Sequence, residues 1–317
     1  MKRMPSETTA CVQRVLYNGL RIPAIGFGPG IFQSAPAIPP VPSWNLIRRA
    51  WNKYYGRRHS RQNARRSFIN AVANGISAGF RLIDFSTSYG DGNLIREAIE
   101  KSGVDRNELF LTCRVGNRAQ FQGPNAIREL VHRQLKEFAV EKFDILMFHW
   151  PVTGCYEATW RELCKFYDQG ISRSIGVANC HPHHLKKLMS CGLKPMLNQF
   201  EVHPLFSQKD LIKFNQDMGI LVESYTPIAR NDPRLFRLPR LNEIATLHGK
   251  KTVQVVLRWH LQQGLVPIIR SLNSDRQMEN LGVFDFSLSE DEMKTIDSFN
   301  INSRLRYDPD NCDFTIL

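Results

Sequence analysis

Asp84, Tyr89, Arg114 and His149 stand at or just beyond the ends of short apolar runs. Phe80-Arg-Leu-Ile83 leads into Asp84, Leu109-Phe-Leu-Thr-Cys113 into Arg114, and Ile145-Leu-Met-Phe148 into His149. Tyr89 follows Asp84 by five positions, in a Ser/Thr/Gly loop. A phenol beside a cation and an imidazole can donate a proton to a carbonyl oxygen. Alone, a phenol with a pKa of about 10 is a poor acid–base group at neutral pH. A neighbouring cation stabilises phenolate and lowers that value by about 1–3 units. Asp84 would fix and partly neutralise the cation, and His149 would hold the carbonyl by a hydrogen bond. Each residue has a plainer reading in isolation: Asp84 as a cap, Tyr89 as a rim aromatic, His149 as a structural hydrogen-bonder. Their recurrence at successive strand ends favours a single site.

The elements that must carry these residues alternate regularly. Short apolar strands are expected at 24–27, 80–84, 109–113, 144–148, 173–177, 196–200, 220–224 and 265–268. Helices are expected at 61–78, 92–102, 123–138, 155–169, 181–190, 207–217, 239–248 and 252–263, then at 275–281 and 289–298. Eight strands in β–α order fit a closed (β/α)8 barrel, whose catalytic groups lie at the C-terminal ends of its strands. Asn18-Gly19 between apolar flanks predicts a hairpin ahead of the first barrel strand. Gly26-Phe-Gly-Pro-Gly30 is a poor dinucleotide fingerprint, because no helix opens there and Pro29 lacks a phosphate-binding N–H.

The 317 residues are 42% hydrophobic and 23% charged, as expected of a globular protein with a sizeable core. They read as one barrel domain over 1–317 with an insertion at about 31–66. No uncharged apolar run reaches membrane-spanning length, the start lacks a signal-like apolar core, and seven cysteines without a CxxC pair suggest free thiols. A cytoplasmic monomer is the expectation. The net charge of +12 is local: residues 8–83 hold 11 Lys or Arg and no Asp or Glu, and the rest holds 31 basic against 30 acidic residues. Pro-rich 33–43 is followed by Arg48, Arg49, Lys53, Arg57, Arg58, Arg61, Arg65 and Arg66, interleaved with Trp44, Trp51, Tyr54 and Tyr55. This long basic loop insertion after the first barrel strand has three readings: a lid over the pocket, a solvated basic helical excursion, or a polyanion-binding surface through 44–66.

The chain resembles the aldo-keto reductase superfamily over about 15–30 and 68–300. The likeness rests on the Asn-Gly hairpin, Arg81-Leu-Ile-Asp-x₄-Tyr89, Asp144-Ile-Leu-Met-Phe-His-Trp-Pro151, Ser174-Ile-Gly-Val-Ala-Asn179, Asn198-Gln-Phe-Glu-Val-His-Pro204 and Glu223-Ser-Tyr-Thr-Pro-Ile228. It implies a TIM barrel plugged by the N-terminal hairpin, with NADP(H) extended over the upper face. By the same resemblance Tyr89 is the general acid, tuned by Asp84 and Arg114, while His149 orients the substrate. Asn179 and Gln199 match positions holding the nicotinamide carboxamide, and Tyr225 matches the residue stacking on the ring. Arg270, Ser271, Arg276, Glu279 and Asn280 match the 2′-phosphate and adenine site, where guanidiniums suit a phosphomonoester.

The chain departs from the family pattern in places. Arg114 and Arg270 stand where Lys is usual, Ala178 where Ser is usual, and Asp91-Gly-Asn93 replaces Asn-Glu. A guanidinium keeps the charge but is bulkier, so a slower enzyme or a shifted pH optimum is expected. His181-Pro-His-His184 invites a metal reading, but Pro182 opens the following helix and no acidic or Cys partner completes a known spacing, so a helix start with solvent-facing histidines, and no metal, is expected. The expected function is NADPH-dependent reduction of an aldehyde or ketone to an alcohol. The alternative is a weakly active or inactive NADPH-binding barrel whose basic segment binds a protein or polyanion. Arg304, Arg306 and Tyr307 in the tail hint at an acidic substrate.

Overall fold

A computed structural model describes residues 12–29, 46–86 and 91–315, with helical backbone alone for 46–61. The chain opens with an antiparallel hairpin of β1 (Gln13–Val15) and β2 (Arg21–Pro23). Its turn places Gly19 at φ +84°, the left-handed backbone for which an Asn-Gly pair is suited. Arg14 donates to the Leu261 carbonyl (2.6 Å), Asn18 to that of Arg173 (3.1 Å), and the Tyr17 hydroxyl to that of Lys194. Those acceptors precede three barrel strands, so the hairpin covers the barrel's N-terminal end.

The barrel then runs β3 (Gly26–Phe27), α1 (Leu46–Ala78), β4 (Leu82–Asp84), α2 (Gly92–Ser102), β5 (Phe110–Val115), α3 (Asn117–Gln122) and α4 (Pro124–Phe138). It continues through β6 (Ile145–Phe148), α5 (Tyr156–Asp168), β7 (Ile175–Ala178), α6 (Pro182–Met189), β8 (Leu197–Glu201), α7 (Lys209–Asp217) and β9 (Leu221–Tyr225). It ends with α8 (Pro233–Phe236), α9 (Pro239–Leu247), α10 (Thr252–Gln262), β10 (Val266–Ile269), α11 (Ser274–Leu281) and α12 (Glu290–Asp297). The parallel strands close in the order β10-β3-β4-β5-β6-β7-β8-β9, and β9 pairs back onto β10. Closure leaves no exposed sheet edge and buries the strands on both faces, which is why they read as continuous apolar runs. α3 and α8 are too short to leave a periodic signature and were not expected.

The insertion after β3 differs from the loop that was expected. α1 starts at Leu46 rather than near 61, so the basic half of the insertion is a helical extension of the first barrel helix. Physically, Leu46–Ala78 contains no proline, and the lone interior glycine before the barrel-packed part, Gly56, costs only about 1 kcal/mol. Trp44 lies outside the described residues, as do the side chains of Trp51, Tyr54, Tyr55 and the basic residues up to Arg61.

Beyond α12 the tail crosses the C-terminal end of the barrel. Glu201, at the end of β8, accepts hydrogen bonds from the Leu305 (2.7 Å) and Arg306 (2.8 Å) amides. Asn117 donates to the Phe314 carbonyl (3.2 Å), and the Phe314 ring lies 6.4 Å from that of Trp150. The six described cysteines are free. Among the described residues, no helix is long and apolar enough to cross a membrane.

Candidate active site

Strand register gathers a group of buried charges inside the barrel. Asp84 ends β4, and Arg114 lies in β5, two positions beyond Thr112, the Cα partner of Asp84. The Arg114 guanidinium, 2% exposed, donates to the Asp84 carboxylate. On the far side of the barrel, Gln199 and Glu223 are Cα partners in β8 and β9 and therefore share a face. Gln199 Nε2 donates to Glu223 Oε2 at 2.8 Å. The two halves interact electrostatically. Burial raises the Asp84 carboxyl above its usual value, against the opposing pull of Arg114 and a hydrogen bond from Gln199. Burial, then the neighbouring Asp84 charge, pushes Glu223 up to about 7, with Gln199 and Arg114 opposing. Arg114 thus serves two carboxyl groups, one of which titrates near neutrality.

His149 follows β6 with its ring half-buried. Desolvation, then the Arg114 and Arg306 charges, lowers it to about 3. At neutral pH only about one molecule in 10⁴ would carry imidazolium, so His149 is a neutral hydrogen-bonding group and not a proton source. Next to it Asn179, just past β7, adopts a left-handed backbone at φ 60°, a conformation that Asn tolerates better than most residues and that recurs at functional sites. Its amide donates to the His149 carbonyl (3.0 Å) and accepts from the Tyr225 hydroxyl (2.7 Å). The turn therefore links the ends of β6, β7 and β9. Gln199 Oε1 is buried and finds no hydrogen-bond partner among the described residues.

At the other end of the same face, Arg270, Ser271, Arg276, Glu279 and Asn280 line a cleft of about 680 Å³ with Lys251, Gln254 and Asn273. β10 ends into this cleft and α11 starts from it. Asn273 caps α11 by accepting from the Arg276 amide (2.9 Å), and Ser271 Oγ accepts from the Asn273 amide (3.2 Å). Arg270 and Arg276 are exposed and form no ion pair among the described residues, whereas Glu279 pairs with Lys251. Cation-rich walls, a hydroxyl and a helix N-terminus suit a dianionic phosphate.

The structure brings together Asp84, Arg114, His149, Asn179, Gln199 and Tyr225 at the C-terminal strand ends, and places Arg270, Ser271, Arg276, Glu279 and Asn280 in the adjoining cleft. Tyr89 lies outside the described residues. Sequence reasoning passed over Glu223, although a lone acid within an apolar strand was a visible signal. It also missed Glu201 as the anchor of the tail. The Cys113 thiol, beside Arg114 in sequence, is buried and pushed up to about 12, chiefly by desolvation, so it is not poised for oxidation.

Comparison with known proteins points the same way. The sequence model described as "Aldo/keto reductase family" matches residues 53–301. An uncharacterized oxidoreductase of Bacillus subtilis (strain 168), YtbE, is 39% identical over 251 residues, covering 78% of this chain and 88% of that protein. Glyoxal reductase of the same organism is 37% identical over 245 residues, with 77% and 87% covered. Among solved structures, the Bombyx mori aldo-keto reductase in complex with NADP superimposes with a TM-score of 0.77 at 26% identity, covering 94% of this chain and 96% of that one.

Proposed function

The chain belongs to the aldo/keto reductase family, and we propose that it reduces an aldehyde or ketone to an alcohol with NADPH, using Tyr89 as the general acid. The observation that carries this reading is the buried Arg114–Asp84 pair at the strand ends, beside which burial and the Arg114 charge keep His149 neutral. A site whose imidazole is held uncharged needs another proton source, and the Tyr89 phenol would supply it. His149 and Tyr89 would hold the carbonyl oxygen between them, and Tyr89 would release its proton to that oxygen as negative charge develops there. Arg114 would stabilise the resulting phenolate, and Asp84 would keep the guanidinium in place. When bound, the reduced nicotinamide supplies the hydride to the carbonyl carbon.

The residues present fit this cofactor. The unsatisfied, buried Gln199 Oε1 is an acceptor for the carboxamide NH₂, and the backbone amide of Asn179, just past β7, donates to the Gln199 carbonyl (2.8 Å). The Tyr225 ring would stack on the nicotinamide, and Arg270, Ser271 and Arg276 would take the 2′-phosphate, favouring NADPH over NADH. That a Bombyx mori relative is described with NADP supports the same choice. Arg306 acts on His149 from the tail and favours a substrate carrying negative charge.

Tyr89→Phe tests the reading. Turnover of NADPH with a panel of aldehydes, ketones and dicarbonyls should fall by about 10²–10⁴-fold, while NADPH binding measured by fluorescence titration is unchanged. Equal turnover by the variant would remove Tyr89 from the mechanism. The second reading, a partner-binding barrel of little activity, draws on the basic extension of α1. It predicts a steeply salt-dependent affinity for heparin or RNA that is lost on deleting 44–61, with no carbonyl turnover in the intact chain.

A further inference from the structure

The fold supplies what the His181-Pro-His-His184 sequence lacks: an acidic partner. Asp310, far along the chain in the tail, points its carboxylate at all three imidazoles. Its Oδ2 lies 2.7 Å from His181 Nδ1, and its Oδ1 lies 3.3 Å from His183 Nε2 and 3.8 Å from His184 Nε2. These distances are of two kinds. The first is an ordinary hydrogen bond. At 3.8 Å, His184 is beyond hydrogen-bonding reach, although it is only 7% exposed and aims that nitrogen at the carboxylate. Ligand atoms about 2.05 Å from a tetrahedral zinc stand about 3.3 Å apart. The His183, His184 and Asp310 ligand atoms all fall within 4.8 Å of one another. Asp308, with His181 and Asp310, forms a second such group on the same side.

We propose that His183 Nε2, His184 Nε2 and Asp310 Oδ1 form a binding site for a divalent transition-metal ion, Zn²⁺ being the best match, which ties the tail to the N-terminus of α6. Two imidazoles and one carboxylate are a borderline-soft donor set that suits Zn²⁺ better than Ca²⁺ or Mg²⁺. His181 positions the carboxylate by its hydrogen bond to Oδ2, as ligating carboxylates are commonly held. Lys187, the nearest cation on α6, is paired with Glu157 at 2.6 Å, which blunts its repulsion of an ion. One contact opposes the ion. His184 Nδ1 accepts from the His181 amide at 3.2 Å, and ligation through Nε2 moves the ring proton to Nδ1, so this long bond must open. The consequence reaches the barrel mouth, because Arg306 lies four residues before Asp310 and Phe314, packed by Trp150, four residues after it.

The test uses the tag-free full-length chain with Zn²⁺ in equilibrium dialysis, and Co²⁺ as a spectroscopic probe. One equivalent of Zn²⁺ should bind, and Co²⁺ should give visible ligand-field bands. His183→Asn and Asp310→Asn should each abolish both signals, and His181→Asn should weaken binding by about 10–100-fold. His183 is exposed, so its substitution leaves the fold intact and keeps the experiment interpretable. Zn²⁺ should also slow tryptic cleavage after Arg304 and Arg306 in the native chain and not in His183→Asn. Absence of binding at about 100 μM Zn²⁺, far above the affinity of ordinary zinc sites, would overturn the proposal. So would one equivalent retained in both the His183 and Asp310 variants, which would place the ion at the cysteines or elsewhere.

Discussion

Two sets of guanidiniums sit on one face of this barrel and are held in opposite ways. Arg114 is sealed in the interior against Asp84, with Glu223 close enough to feel the pair. Arg270 and Arg276 stand in an open cleft with no carboxylate paired to them among the described residues. The contrast separates two uses of positive charge. A buried cation is part of the structure that surrounds it, because removing it leaves uncompensated carboxylates in a low dielectric. An exposed cation adds little to folding and is free to meet an anion, with a strength that salt screens. Substitution should therefore cost stability at the first site and affinity at the second.

The largest expected effect breaks or upholds that division directly. Arg114→Met strands Asp84 and should destabilise the fold by about 3–5 kcal/mol in urea unfolding, whereas Arg276→Ala should stay within about 0.5 kcal/mol of the native chain. Arg114→Lys restores the charge and should recover most of the lost stability. Its turnover should match or exceed that of the native chain, because an ammonium is a compact point charge, less bulky than the planar guanidinium that Asp84 holds through one oxygen. Equal unfolding midpoints for Arg114→Met and Arg276→Ala would erase the distinction between the two sites.

Glu223 sharpens the buried half of the comparison. In the folded protein it holds its proton up to about pH 7, while the unfolded chain releases it near the ordinary value of 4.5. Between these values the folded state binds more protons, so this residue's contribution is complete below about 4.5 and declines as pH rises to about 7. The gap corresponds to about 3 kcal/mol. Glu223→Gln stays neutral and loses that decline. It should gain on the native chain by about this amount between pH 4.5 and 8, read from urea unfolding across the range. His149 acts with the opposite sign. Held near 3, against 6.5 when unfolded, it costs stability as pH falls below 6.5, but it does so in both proteins and cancels. Parallel stability curves would mean that Glu223 is ionised throughout. The same ionisation weakens the net positive field of Arg114, so Glu223→Gln should also remove a limb near pH 7 from the pH–rate profile.

The barrel was legible because its strands are buried on both faces and its helices are amphipathic. Asp84, Arg114 and His149 were legible because they interrupt or end apolar runs. Glu223 carried the same signal inside Leu221–Tyr225, but its importance depends on the Asp84 charge across the barrel, a neighbour that no local pattern reveals. The basic part of α1 was open to a helical reading but not fixed as one, because a helix without apolar periodicity leaves no packing signal, even where proline is absent. Asp310 escaped notice as a partner of the histidines for a related reason. It lies more than a hundred residues away, and only the path of the tail, anchored by Glu201, brings it to α6.

The exposed half of the comparison predicts the smallest effect and has the cleanest control. An unpaired guanidinium meeting a phosphate dianion forms a charge-assisted hydrogen bond of about 1.5–3 kcal/mol. Arg276→Ala should therefore raise the KM for NADPH by roughly 10–100-fold and leave kcat unchanged. The KM for NADH, which lacks the 2′-phosphate, should not move. Salt should diminish the difference between native chain and variant for NADPH, because the cleft is open and its charges are screened over about 8–10 Å at ordinary ionic strength. A parallel rise in the KM for both cofactors would mean that Arg276 shapes the adenine cleft instead of reading the phosphate. Arg276 would then be a structural residue of the cleft wall, and the division between a cation held for the fold and one free for an anion would fail at this end of the site.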